Sequence, residues 1–211
     1  MCYIMVTIIF NSNFNFILIL IQYSYILLRQ TDKMAFNPIH FIPSKHESQI
    51  LSYPITRILA IPHAKQHIST NHWCFYLLTP TPHTSIALDC QPTHSIPATV
   101  LVHGGSKANL IFSEVPYATP PDAQAVFTLD VAKGVTVQDV YNLLTRNGRH
   151  RYEFDEDGVG CRWWVSEQLD LLYGQGFVTD AEQVIATKEA ILLLWPERTP
   201  LIIDKGAYYD E

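Results

Sequence analysis

The chain has 211 residues, of which 48% are hydrophobic and 16% charged, a composition typical of a globular domain with a substantial core. Its formal net charge is −6 at pH 7, and its lysines and arginines form no cluster in the sequence. Because nucleic-acid phosphates bind clustered basic residues, the composition argues against a nucleic-acid partner and favours a small-molecule or peptide substrate.

The amino-terminal segment, residues 1–33, differs from the rest of the chain. Residues 1–28 carry no charged side chain and are dominated by Ile, Phe, Leu, Tyr and Asn. Polar residues interrupt the segment and no basic residue precedes it, so it only partly matches a signal peptide or a membrane span. We interpret it as a non-native extension upstream of a true start at Met34, with a membrane anchor as the alternative. Residues 34–211 then form a single globular domain.

Three cysteines lie in residues 34–211: Cys74, Cys90 and Cys161. An odd number without regular spacing does not fit a disulfide framework. The pattern favours a reducing compartment, so we expect a cytoplasmic protein unless the amino-terminal segment is a genuine anchor.

Segments rich in β-branched and aromatic residues follow one another from residue 53 onward, separated by turns that contain proline or glycine. They predict strands at residues 55–61, 72–78, 85–90, 98–103, 109–115 and 124–131. The segment 98–103 and the segment 109–115 are joined by a Gly-Gly-Ser turn.

Helical signals come later in the chain. Thr136 with Asp139 forms a capping-box pattern, and Thr179 with Glu182 forms a second one. The predicted helices are residues 137–146, a helix that begins at Cys161 and is closed by a glycine, and residues 180–195. Strands first and helices last indicate an α+β domain, with an antiparallel sheet of about five strands followed by about three helices.

The predicted hairpin of the second and third strands places polar side chains on one face of the sheet. If the residues that flank its Pro-Thr-Pro-His turn pair with each other, Cys74 lies opposite Asp89 and His72 opposite Gln91. Asp89, or Gln91 in its place, then lies beside His72 and can fix the tautomer of its imidazole. Tyr76 shares this face. The other face is core and carries Trp73, Phe75, Leu77, Ile86, Leu88 and Cys90.

Cys161 opens a predicted helix directly after Gly160. Unpaired backbone N–H groups and the positive end of the helix dipole stabilise a thiolate at such a position, and the thiolate is the nucleophilic form. Cys161 also lies on the apolar stripe that faces the protein body, as a buried structural cysteine would. The sequence therefore allows both a nucleophile and a core residue.

These features resemble two groups of known proteins. The order of the candidate residues is similar to that in the circularly permuted papain-like superfamily, which includes lecithin:retinol acyltransferase-like members. A histidine starts an early strand, a polar residue lies on the next strand, and a later cysteine opens a helix. At the level of close sequence, Asn71-His72-Trp73 and Gly160-Cys161-Arg162-Trp163-Trp164 resemble an uncharacterised fungal family, the domain of unknown function 7770. The first resemblance implies a cysteine–histidine site, and the second implies no established activity.

The resulting hypothesis is cysteine-dependent acyl transfer, as in a thiol peptidase, amidase or acyltransferase. His72 deprotonates Cys161, Asp89 with Gln91 as its substitute orients His72, and the thiolate attacks an amide or ester carbonyl. We expect a substrate cleft lined by four aromatic residues, Trp73, Tyr76, Trp163 and Trp164. No cofactor is predicted.

Two other interpretations stay open. The same aromatic groove could bind a small ligand or an extended peptide without turnover, with Cys161 as a buried structural residue. Residues of ligand type for zinc are also present, but no Cys-x-x-Cys or His-x-x-x-His spacing occurs, so a zinc site is the weaker alternative and no metal ligand is assigned. These residues are His72, Cys74, Asp89, Cys90 and Cys161.

Overall fold

A computed structural model describes residues 36–65, 70–81 and 83–210. The strands in chain order are β1 (Ile39–Ile42), β2 (Arg57–Pro62), β3 (Trp73–Leu78), β4 (Ser85–Pro97), β5 (Ser106–Val115), β6 (Phe127–Asp130), β7 (Tyr152–Phe154), β8 (Leu193–Leu194), β9 (Thr199–Pro200) and β10 (Ala207–Tyr208). The α-helices are α1 (Glu47–Ser52), α2 (Val137–Arg146), α3 (Cys161–Gly174) and α4 (Ala181–Ile191). The interpretation of residues 1–33 lies outside the described residues.

The main sheet is antiparallel along the path β10-β7-β5-β4-β3-β2-β6 and curls into a half-barrel. β1 joins it by pairing in parallel with β5, and β8 and β9 form a separate two-stranded sheet. The α+β class is therefore confirmed. No α-helix within the described ranges is both long and apolar enough to cross a membrane.

The predicted order of strands first and helices last is wrong. α1 precedes most of the sheet, β7 lies between α2 and α3, and three short strands follow α4. Strands of two to four residues are too short for an alternating hydrophobic pattern, which is why the sequence did not reveal them. The interleaved order gives no support to a permuted papain-like arrangement.

The strand predicted at residues 98–103 is also wrong, and Glu153 supplies the physical reason. Its carboxylate accepts hydrogen bonds from the backbone N–H groups of Thr99 at 2.6 Å, Val100 at 2.8 Å and Leu101 at 3.2 Å. These donors are therefore unavailable to a strand partner. The segment forms a turn, while β4 itself extends to Pro97.

The hairpin of β3 and β4 has the predicted register. Phe75 pairs with Leu88 and Tyr76 with Ala87, so alternate residues point to opposite faces of the sheet. The face that carries Phe75 belongs to the main core, whereas Tyr76 and Ala87 belong to a smaller apolar cluster on the other face.

Helix starts follow local capping. Thr136 and Asp139 form the predicted capping box of α2, with each side chain accepting from the other residue's backbone N–H. The start of α4 differs from the prediction, since Asp180 rather than Thr179 is the N-cap and accepts from the backbone of Glu182 and Gln183.

Candidate functional site

The polar face of the β3–β4 hairpin holds a histidine–aspartate pair. His72, one residue before β3, and Asp89 on β4 lie 2.6 Å apart between Nε2 and Oδ1. Their side chains are 25% and 15% exposed, so the pair is reachable from solvent. Gln91 donates from Nε2 to the other carboxylate oxygen of Asp89. The structure thus brings His72, Asp89 and Gln91 together as the hairpin register predicts.

The electrostatics of this pair follow from burial and charge. Burial raises the pKa of Asp89, but His72 and the Gln91 hydrogen bond outweigh it, and the pKa lies below its ordinary value. Burial would lower the pKa of His72, yet Cys74, Asp89 and Cys161 raise it well above its ordinary value. The proton on the imidazole is therefore held chiefly by the Asp89 carboxylate when the thiols are neutral.

Cys74 lies on the same face of the sheet, two residues after His72. A His72 ring nitrogen, Cys74 Sγ and an Asp89 carboxylate oxygen all lie within 4.8 Å of one another. Burial and the negative charge of Asp89 both oppose a thiolate and raise the pKa of Cys74 to about 12. Cys74 is therefore a protonated thiol near neutral pH, although it is the cysteine that shares the face of His72.

Cys161 begins α3 and is buried in the main core, 4% exposed. Its Sγ donates to the backbone carbonyl of Asn71 at 3.9 Å. The thiol hydrogen bond therefore goes to the backbone of the residue that precedes His72. The role of Cys161 as nucleophile stays a prediction.

The start of α3 is built around Gly160, which has φ of +151° and is the N-cap of the helix. A Cβ at this position would lie 3.1 Å from the hydroxyl oxygen of Tyr152, which donates to the Gly160 carbonyl. No acidic residue stands in the first turn of α3. Nothing in that turn therefore offsets the positive field of the helix end at Cys161.

The four aromatic residues expected to line a cleft lie in different environments. Trp73 and Trp164 are 1% and 0% exposed and are part of the main core. Trp163 is half-buried, with Lys205 Nζ 4.2 Å from its ring centroid. Tyr76 is buried on the face of His72. Trp73 and Trp164 thus fill the core, whereas Trp163 contacts Lys205 and Tyr76 contacts His63.

Sequence reasoning missed a second histidine beside His72. His63 contacts Asp122 at 3.0 Å through Nδ1 and the Tyr76 hydroxyl at 3.2 Å through Nε2. Its ring centroid lies 6.0 Å from that of His72. The pairing of Pro62 with Trp73 aligns these neighbours, so a correct β2–β3 register would have found this contact.

Asn71 was also missed as a positioning residue. It is 1% exposed, and its side-chain amide donates to the carbonyls of His63 and Trp195. The signal in the sequence was its place directly before His72, but its partners are distant in the chain. The side chain of Asn71 therefore fixes the backbone that carries His72. It also fixes the Asn71 carbonyl that accepts the hydrogen bond from Cys161.

The donors that could hold a metal among the described residues are His72, Cys74 and Asp89. Cys74 lies on β3, Asp89 on β4 and His72 directly before β3, so the pairing of β3 with β4 brings the three donors together. Their spacing in the sequence matches no metal-binding motif. Cys90 lies on the opposite face in the main core, away from this group.

Fold and site together define an α+β domain whose curled antiparallel sheet carries a histidine–aspartate pair next to a buried thiol. The family model of a domain of unknown function, DUF7770, matches residues 58–209, and the chain belongs to that family. No curated protein and no solved structure matches the chain. The comparisons thus give no support to a papain-like relationship.

Proposed function

We propose that this domain is a cysteine-dependent acyl-transfer enzyme, a thiol hydrolase, amidase or acyltransferase, with Cys161 as nucleophile and His72 as base. The observation that carries the proposal is the 2.6 Å contact between His72 Nε2 and Asp89. A carboxylate at one ring nitrogen fixes the imidazole and leaves the other nitrogen for proton exchange. Asp89 and Gln91 are positioning residues in this scheme.

The place of Cys161 supports its part in the scheme. It is the first residue of α3, and its thiol contacts the carbonyl of Asn71, the residue before His72. Catalytic hydrogen bonds are often loose without substrate and tighten in the complex. We expect the Cys161 side chain to rotate when substrate binds, so that its thiol donates to His72 Nδ1 instead of the Asn71 carbonyl.

The chemical steps balance without a cofactor. In its neutral form His72 accepts the thiol proton, and the sulfur forms a bond to the carbonyl carbon of an amide or ester. The amine or alcohol leaves with the proton from His72, and a thioester remains on Cys161. Water or an acceptor amine then attacks the thioester, and the thiol is restored. The order histidine, aspartate, cysteine is similar to that of circularly permuted papain-like sites, which supports the scheme by analogy alone.

Mixing the protein with p-nitrophenyl acetate tests the proposal, since a reactive thiol releases one equivalent of nitrophenol in a burst and gains an acetyl group. We expect the acetyl group on Cys161 by mass spectrometry, and loss of the burst in Cys161→Ala and in His72→Ala. Cys90→Ala is the matched control, because Cys90 is buried in the same core. A burst that persists in Cys161→Ala contradicts the assignment.

One observation favours a second function, a non-catalytic ligand- or peptide-binding domain. Cys161 is 4% exposed and its thiol already donates to Asn71, as a structural cysteine would. Under this alternative the wild-type protein gives no burst and no acetylated Cys161, so the same experiment separates the two functions.

A further inference from the structure

We propose that His72, Cys74 and Asp89 bind one zinc-type divalent ion, and that this ion switches the proposed thiol site off by occupying His72. The three side chains present an imidazole nitrogen, a thiol sulfur and a carboxylate oxygen within 4.8 Å of one another. The metal site stands on this geometry alone, whereas the switch rests on the proposed function.

The backbone preorganises these donors. His72 and Cys74 are two residues apart along an extended chain and so point to the same side of the sheet. The register that pairs Phe75 with Leu88 places Asp89 opposite Cys74 on the neighbouring strand. Strand pairing fixes the Cα positions of Cys74 and Asp89, and the His72 carbonyl accepts a hydrogen bond from the His63 N–H at 2.8 Å. Binding an ion therefore needs mainly side-chain rotation.

The spacing suits a tetrahedral ion. Ligand atoms at about 2.0–2.3 Å from zinc lie roughly 3.3–3.8 Å from each other. This range falls between the 2.6 Å contact of His72 with Asp89 and the 4.8 Å limit of the group. The His72–Asp89 hydrogen bond opens by about 1 Å as the ion enters between the two groups.

The donor set selects the kind of metal. A thiolate together with an imidazole and a carboxylate suits a borderline-soft ion such as Zn²⁺ and disfavours Mg²⁺ and Ca²⁺, which prefer oxygen ligands. On binding, Cys74 releases its proton to solvent and forms a sulfur–metal bond. Gln91 already donates to the Asp89 oxygen that does not contact His72, and would orient the carboxylate towards the ion.

The switch follows from the chemistry of imidazole. A neutral ring has one nitrogen with a free lone pair, and the other nitrogen carries the proton. Once the metal holds that lone pair, His72 cannot accept a proton from Cys161, whichever nitrogen binds the ion. The metal-bound form is therefore unable to generate the thiolate through His72.

The first test uses Co²⁺ as a spectroscopic probe for the full chain. We expect one ion per chain, with a near-ultraviolet thiolate-to-cobalt charge-transfer band that disappears in Cys74→Ser. Zn²⁺ should displace Co²⁺, and calorimetry should show affinity reduced at least about tenfold in His72→Gln and in Gln91→Ala. Cys161→Ala, folded by circular dichroism, should keep the band. A wild-type protein without the band, or a band retained in Cys74→Ser, overturns the metal site.

The second test measures iodoacetamide labelling of Cys161 with EDTA and with Zn²⁺. We expect Zn²⁺ to slow labelling at least about tenfold in the wild type and to have no effect in Cys74→Ser. Rapid labelling that Zn²⁺ does not slow overturns the switch and leaves the thiol enzyme standing. If Cys161 is inert even in EDTA, the switch falls together with the proposed function, and the cobalt band still decides the metal site.

Discussion

The side chain of Asn71 forms two hydrogen bonds with the backbone of Trp195. Its Oδ1 accepts from the Trp195 N–H at 2.7 Å, and its Nδ2 donates to the Trp195 carbonyl at 2.9 Å. One side chain thereby joins the start of β3 to the segment that follows α4, 124 residues later in the chain. Since Asn71 precedes His72 and its own carbonyl accepts from Cys161, this contact positions both halves of the proposed site.

Asn71→Ala tests that contact. We expect a loss of about 2–3 kcal/mol in the free energy of unfolding, because backbone groups of His63 and Trp195 lose their partners inside the protein. Urea denaturation provides the measurement. Asn142→Ala, on the half-buried surface of α2, is the control and should change stability by less than about 0.5 kcal/mol. An equal change in the free energy of unfolding in the two variants would contradict the structural role of Asn71.

Arg162 joins α3 to the last residue of α4 and to the segment beyond it in a similar way. Its guanidinium is buried and donates to the carbonyls of Ile191, Leu201 and Ile202. We expect Arg162→Met to destabilise the protein by about 3 kcal/mol, since these carbonyls lose a charged donor. Arg162→Lys keeps the charge but not the planar fork, so it should recover less than half of that loss in thermal and urea unfolding.

The control for Arg162 is Arg146→Met, at the exposed end of α2. It should shift stability by less than about 0.5 kcal/mol. Full recovery of wild-type stability in Arg162→Lys would contradict the role assigned to the forked geometry.

Glu153 makes stability depend on pH. Burial raises the pKa of its carboxyl, but hydrogen bonds from Thr99, Val100 and Leu101 outweigh burial and lower it. The native state then binds fewer protons than the unfolded state, so the stabilisation is present above the ordinary value of 4.5 and is lost as pH falls through the lower native value.

Glu153→Gln should therefore cost about 1–2 kcal/mol at neutral pH, because one amide nitrogen cannot accept the turn's N–H groups. The difference from wild type should shrink as the pH falls below 4.5, measured by urea unfolding across an acid series. Glu156→Gln, an exposed neighbour, is the control. A difference that stays constant with pH would rule out the hydrogen-bonded carboxylate as its source.

Asp89 should act on the reaction through His72. We expect Asp89→Asn to slow acetylation of Cys161 by p-nitrophenyl acetate at least about tenfold, measured in EDTA, because the imidazole loses its orienting anion. Asp89→Glu keeps the charge and should restore part of the rate, which a purely structural role would not require. Asp157→Asn in the exposed turn is the matched control. An unchanged rate in Asp89→Asn would remove Asp89 from the mechanism.

Local signals predicted the elements with long, regular patterns. α2 has its predicted bounds and capping box, and the β3–β4 hairpin has its predicted register. The three-residue strand β7 was not predicted, because all its side chains are buried and no alternation of polar and apolar residues marks it. The turn at residues 98–103 depends on a carboxylate more than fifty positions away, and no local pattern reports such a partner.

The candidate site was also predictable only where local strand pairing determines it. The hairpin alone places His72 beside Asp89, so their contact was predictable from strand pairing. The same register placed Trp73 on the core face, and its burial confirms that part of the prediction rather than a place in a cleft. The burial of Trp164 and the hydrogen bond of Cys161 to Asn71 depend on how α3 packs against β3, which residue spacing does not reveal. His63 enters the site through the β2–β3 register, a pairing across a connection of ten residues.

The most direct test of the account is iodoacetamide labelling of each cysteine by mass spectrometry in EDTA near neutral pH, for the wild type and for His72→Ala. The account predicts that Cys161 alone is labelled rapidly and that it loses this reactivity in His72→Ala. Cys90, buried in the core with its pKa raised, is the internal reference. Slow labelling of Cys161, or labelling that does not depend on His72, would contradict the thiol–imidazole pair.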